Sequence, residues 1–144
     1  MRTDLGGACT AGSPAASAHP ARLRSLVLIE DDRDMAYLLG RAFERSGSFT
    51  MAGLATNFEG LEPLLEIQSP EVVVVDARLP GESDLALVPI VRSSCPEATI
   101  VVLTGLSSLR VQTEAYAAGA DFFVEKSMSA RNLVQKIAEL VVTG

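Results

Sequence analysis

VVVVDARLP, at residues 72–80, is the stretch that decides the fold. Val72, Val73, Val74 and Val75 offer no polar face, so they read as a strand buried on both sides. An ionisable carboxylate, Asp76, follows at once. A lone carboxylate against a dry core is costly to keep charged, so it calls for partners.

The same kind of run recurs on either side. LVLI at 26–29 stops at Glu30, Asp31 and Asp32, IVVL at 100–103 stops at Thr104, and FFV at 122–124 is followed by Glu125 and Lys126. Residues 51–55 form a weaker strand with Gly53 inside it. Between the strands the period changes to that of a helix. Met35, Leu38, Leu39, Ala42 and Phe43 precede Ser46 and Gly47, and Phe58, Leu61, Leu64, Leu65 and Ile67 mark a helix that Pro63 must strain or shorten. A third helix is expected over 85–91 with Asp84 as N-cap, a fourth over 108–118 ending at Gly119, and a fifth from Ser129. Strands alternating with helices predict a parallel sheet covered on both faces, an α/β flavodoxin-like (βα)5 sandwich of strand order 2-1-3-4-5.

Totals set the outer bounds. A chain of 144 residues has room for one domain with a real core. The net charge of −6 argues against a free-standing nucleic-acid binder. No apolar run approaches bilayer length, and no basic amphipathic run suits a membrane surface. Residues 1–24, rich in Ala, Gly, Ser and Pro and holding His19, read as a flexible tail without the apolar core of a signal peptide, and residues 25–144 as the domain. Cys9 and Cys95 read as reduced thiols, and the cytoplasm is the default location.

In such sheets ligands bind beyond the carboxyl ends of the strands. The carboxyl ends here deliver Glu30, Asp31, Asp76, Thr104 and Lys126. Three carboxylates cannot all stay ionised at close quarters without positive charge. Lys126 supplies one charge, and Mg²⁺ suits a site with few carboxylates and retained waters. Such a set lacks an acid–base pair but matches phosphoryl transfer, with Asp76 as nucleophile forming an acyl phosphate.

With LVLIEDD, VVVVDARLPG, IVVLTG and AGADFFVEK in order, residues 25–142 resemble the receiver domains (CheY-like) of two-component response regulators. The resemblance implies a phosphorelay receiver in which Asp76 accepts the phosphoryl group. It makes Asp31 the direct Mg²⁺ ligand, with Asp32 as the alternative, Glu30 an acid acting through water, and the Arg78 carbonyl a further ligand. Thr104 and Lys126 would hold phosphoryl oxygens, and Phe123 stands at the switch aromatic position. Ser127, where many receivers have proline, resembles the branch that often carries a LuxR-type output domain. Asp84 replaces a usual glycine, Gly105 leaves the phosphoryl group accessible, and Arg78 and Leu106 sit where the phosphoryl lifetime is set.

The implied partners are a sensor histidine kinase or phosphotransfer protein and a downstream protein met through residues 107–142, and a homodimer is compatible with that face. No direct nucleic-acid or membrane contact is expected, and the resemblance implies a phosphoacceptor rather than an enzyme. Two rivals are a receiver fragment of a DNA-binding regulator and an unphosphorylated pseudo-receiver scaffold. An aspartyl-phosphate hydrolase would need an acid where Arg78 stands, and a flavodoxin a Ser/Thr/Gly-rich loop where Glu30, Asp31 and Asp32 stand.

Overall fold

The apolar runs form five strands, and the helix-period segments form five helices that pack over them. The computed structural model describes residues 22–56, 59, 61–77, 85–105 and 109–143. In chain order the elements are β1 (Arg24–Ile29), α1 (Arg33–Arg45), β2 (Phe49–Ala55), α2 (Leu61–Gln68), β3 (Val72–Ala77), α3 (Leu87–Ser94), β4 (Thr99–Thr104), α4 (Leu109–Ala118), β5 (Phe122–Glu125) and α5 (Ala130–Thr143). The strands form one parallel sheet of order β2-β1-β3-β4-β5, the order expected from the alternation.

The absence of a polar face in the apolar runs is explained by the layers. Leu26, Leu28, Val72, Val74 and Val101 point to one side, under Leu39 and Phe43 of α1 and Val134 and Ile137 of α5. Val27, Ile29, Val73, Val75, Ile100 and Val102 point to the other, under Leu65 of α2, Val88 and Val91 of α3, and Val111 and Ala115 of α4. Each such side chain contributes about 1.5–3 kcal/mol by leaving water. Phe43 and Phe49 meet edge to face at 5.4 Å, tying the end of α1 to the start of β2. Among the described residues no helix is long and apolar enough to cross a membrane.

Several boundaries differ from the sequence expectation, each for a local reason. β1 opens at Arg24, and Glu71 accepts two hydrogen bonds from the Arg22 guanidinium at 3.1 and 2.7 Å, so described structure reaches into the stretch whose composition reads as tail. β2 begins at Phe49, two residues early, because Arg24 pairs with it. α2 starts at Leu61 and α3 at Leu87, which places Pro63 and Pro89 in first turns, where a missing N–H costs nothing. α3 follows the residue Ala86, which makes no side-chain cap, and Asp84 lies outside the described residues, as do Phe58 and His19. The Ser129 hydroxyl accepts from Asn132 N–H at 3.2 Å, capping α5 as its position predicts. Cys95 is buried, its thiol 3.9 Å from the Leu65 carbonyl, and burial pushes its pKa up.

One polar assembly went unread in the sequence. Arg92, in α3, donates from Nη1 to the carbonyls of Pro96 at 3.0 Å and Ala98 at 2.8 Å. Its Nη2 donates to the Gly119 carbonyl at 2.8 Å and to Asp121 Oδ2 at 2.7 Å. The same Asp121 oxygen accepts from Ile100 N–H at 2.8 Å. One guanidinium therefore joins the α3–β4 and α4–β5 connections at the amino edge of the sheet. Gly119 takes a positive φ of 122°, which explains the glycine there, and it lies beside Arg92. Replacing Arg92 with Met keeps the apolar stem but strips these bonds. Arg92→Met is expected to lose about 1–3 kcal/mol of unfolding free energy. A urea titration checks it, and an unchanged midpoint at unchanged slope would mean that the assembly adds nothing.

Candidate functional site

The parallel register turns separate positions in the sequence into one rim. Ile29 pairs with Val75, so Glu30 and Asp76 emerge next to one another from β1 and β3. Ala77 pairs with Thr104 and Thr104 with Glu125, which sets Lys126 one step beyond the edge of β4. The backbone N–H of Lys126 donates to the Thr104 carbonyl at 2.7 Å and fixes where its side chain starts.

That side chain reaches Asp76: Nζ lies 2.6 Å from Oδ1, and the Asp76 side chain is fully buried. The other oxygen, Oδ2, has no hydrogen-bond donor among the described residues, and neither has Oε1 of Glu30. Glu30 is 1% exposed. Its Oε2 accepts from the Asp32 backbone N–H at 2.8 Å. Thr104 is buried at the end of β4. Phe123 is half-buried on the face covered by α2, α3 and α4.

Asp31 and Asp32 are separated by what α1 needs. Asp32 adopts extended backbone geometry, and its side chain accepts from Met35 N–H at 3.1 Å, so it caps the helix. Its N–H at the same time steadies Glu30. Asp31 stays exposed on the loop between strand and helix. Among the described residues no three acidic side chains close into a complete metal cage. Glu30 and Asp76 come together, and Asp31 stands at the edge of them. Arg78 and Leu106 lie outside the described residues. The double duty of Asp32 was legible as an Asp just before a helical period, a cap signal that competes with its reading as a ligand.

The Glu30 carboxyl is pushed up from 4.5 to about 8. Burial is the largest cause, followed by a hydrogen bond with Asp76 and by the Asp76 charge. The Asp32 N–H and the Lys126 charge pull the other way. A proton on the Glu30 carboxyl, which its hydrogen bond with Asp76 favours, would give both oxygens a partner. The alternative occupant for such a pair of lone pairs is a hard cation. The donor set is all oxygen, it has one ammonium on its far side, and it fits a divalent ion that keeps several waters.

Residues 26–138 match the family described as response regulator receiver domain. The photosynthetic apparatus regulatory protein RegA of Rhodobacter capsulatus is 31% identical over 114 residues, covering 79% of this chain and 61% of RegA. The C4-dicarboxylate transport transcriptional regulatory protein DctD of Rhizobium meliloti (strain 1021) is 32% identical over 111 residues, 77% of this chain and 24% of DctD. The chain thus spans less than two thirds of either relative. A response regulator from Burkholderia pseudomallei, crystallised with a phosphorylated aspartic acid, calcium ion and citrate, superposes with a TM-score of 0.67 at 28% identity, over 83% of this chain and 71% of that one. A CheY-like receiver from Methanospirillum hungatei JF-1 shares the fold, with a TM-score of 0.70 at 24% identity over 85% and 96% of the two chains.

The raised Glu30 carboxyl has a direct consequence for stability. Between its ordinary 4.5 and about 8 the folded chain binds more protons than the unfolded one, so this group's contribution is full at low pH and is lost as pH rises through about 8. In metal-free buffer, urea unfolding from about pH 5 to about pH 9 should show that decline, and Glu30→Gln should flatten it. An equal slope in the variant would assign the effect elsewhere.

Proposed function

The chain belongs to the response regulator receiver domain family, and on that premise we propose that Asp76 is the residue that takes the phosphoryl group. A receiver is a signalling domain, and its chemistry here is a single transfer onto its own side chain. The observation that carries the assignment is the buried pair: Asp76 Oδ1 is held by Lys126 at 2.6 Å, while Oδ2 is left with uncommitted lone pairs at the carboxyl edge of the sheet.

In this reading the donor is a phosphohistidine of a sensor kinase or phosphotransfer protein. An Asp76 oxygen attacks phosphorus, the new O–P bond forms as the N–P bond breaks, and the electron pair leaves with the imidazole nitrogen. The Lys126 ammonium, already beside Asp76, neutralises one phosphoryl oxygen, and the Thr104 hydroxyl donates to another. Asp31, Asp76 and the Arg78 carbonyl would hold Mg²⁺, with Glu30 acting through water and Asp32 spent on capping α1. When bound, the ion supplies neutralisation of the incoming oxygens. The calcium ion of the Burkholderia pseudomallei regulator supports a hard divalent cation, and the small number of carboxylates favours Mg²⁺.

The signal then leaves through the bond between Lys126 and the β4 edge. Lys126 N–H is tied to the Thr104 carbonyl, so a pull on either side chain is felt by both strand ends. Phe123, on β5 beside Val102, is placed to repack as those ends shift. The change biases an equilibrium between two surfaces over residues 107–142, which a downstream protein reads. The same reading keeps the chain in the cytoplasm with its donor. It treats the expected tail of residues 1–24, less the stretch from Arg22 that joins the fold, as an extension of a single receiver domain.

Intact-mass measurement after incubation with acetyl phosphate and Mg²⁺ tests the assignment. The wild type should gain the mass of one phosphoryl group, chelation of the metal should prevent the gain, and Asp76→Asn should show none. A label that persists on Asp76→Asn would mean that another residue is the nucleophile.

A further inference from the structure

Strand β1 passes into α1 through Glu30, Asp31 and Asp32, and the last of these is held from both sides. Toward the rim, its backbone N–H donates to Glu30 Oε2 at 2.8 Å. Toward the helix, its side chain accepts from Met35 N–H at 3.1 Å and its carbonyl from Ala36 N–H at 2.8 Å. The other end of the turn is fixed as well, because Glu30 N–H donates to the Ala55 carbonyl of β2 at 3.0 Å. Asp31 is carried between these two fixed points, exposed on the rim. Glu30, 1% exposed, cannot trade its bond to Asp32 for one to bulk water. The place of both acids therefore depends on the Asp32 backbone staying at φ −87° and ψ 115°, an extended geometry that suits the cap.

We propose that Asp32 is a positioning residue for the metal-facing acids, a role that rests on the reading of Asp31 and Asp76 as the acids that hold Mg²⁺. By capping α1 it holds still the N–H that fixes Glu30, and with it the turn that presents Asp31. Asp32 serves the site through hydrogen-bonding shape, not through charge. Its carboxylate is turned to the first turn of α1, where unpaired N–H groups and the helix dipole favour an anion. Leaving for a cation would release Met35 N–H and loosen the very turn that positions its neighbours. A side chain that caps without charge, serine or asparagine, keeps that turn closed. Alanine accepts no hydrogen bond, so the first turn frays and the N–H of residue 32 no longer stays on Glu30. A carboxylate that ligated the ion directly would show a different pattern, since serine and asparagine forfeit its charge as fully as alanine does.

Calorimetric titration of the full chain with Mg²⁺ alone, without a phosphoryl donor, tests the role. Asp32→Ala should weaken Mg²⁺ binding about fivefold, while Asp32→Ser and Asp32→Asn stay within about twofold of the wild type. Exchange of the residue-32 amide hydrogen with solvent should quicken in Asp32→Ala and stay slow in the two capping variants. Ser129→Ala, which removes the corresponding cap of α5, should lower stability yet leave Mg²⁺ binding unchanged. Equal losses in all three Asp32 variants, or wild-type affinity in Asp32→Ala, would overturn the proposal. So would an equal loss in Ser129→Ala, which would trace the effect to overall stability. If Asp31→Asn binds Mg²⁺ as tightly as the wild type, the reading of the metal acids fails and takes the role of Asp32 with it. The Asp32 outcomes alone leave that reading standing.

Discussion

A parallel sheet buried on both faces has no dry place for a charge except its edges, and that constraint organises this molecule. Strands β1, β3 and β4 carry only apolar side chains over residues 26–29, 72–75 and 100–103, and Glu30, Asp76 and Thr104 come directly after those runs. Asp76 is the most demanding of them, because its side chain is fully buried. Lys126 at 2.6 Å compensates one oxygen. The other oxygen is left to a neighbour that can change: a proton shared with Glu30, a cation, or a phosphoryl group. Breaking a buried pair by removing one partner is strongly destabilising, so Lys126 is held at Asp76 while Oδ2 keeps lone pairs open to a ligand. The site is therefore stable as it stands and still receptive.

Much of this was legible in the sequence, and the reasons are physical. Uninterrupted valine runs predict strands buried on both sides, and alternation with helix-period segments predicts the parallel order that is observed. Because a parallel sheet brings carboxyl ends together, Glu30, Asp76, Thr104 and Lys126 could be grouped before any coordinates. Helix starts were harder. Asp84, expected as a cap, lies outside the described residues, and α3 as described begins at Leu87 with Pro89 in its first turn. Asp32 looked like a spare ligand, but its position just ahead of α1 is also a cap signal, and the backbone geometry decides for the cap.

Two features escaped the reading because they are properties of arrangement rather than of residue type. Arg92 is an ordinary helix arginine in sequence, and its four acceptors come from two separated segments. The cationic flank between α1 and α5, lined by Arg41, Arg45 and Arg131 with no Asp or Glu, is hidden by the net charge, which averages it with an acidic rim. The whole-chain value of −6 argues against a free-standing nucleic-acid binder, yet it says nothing about how charge is sorted over the surface.

The arginine assembly at the amino edge also bears on how α4 can move. Gly119 closes that helix, and its carbonyl is tethered by Arg92 to the same guanidinium that holds the α3–β4 connection. The opposite end of α4 faces the rim where Thr104 and Lys126 sit. A rod fastened at one end answers a tug at the other by swinging about the fastening, not by sliding. Displacements at the pocket would thereby move the exposed turn near Leu109 while the Gly119 end stays put, with Arg92 as the pivot.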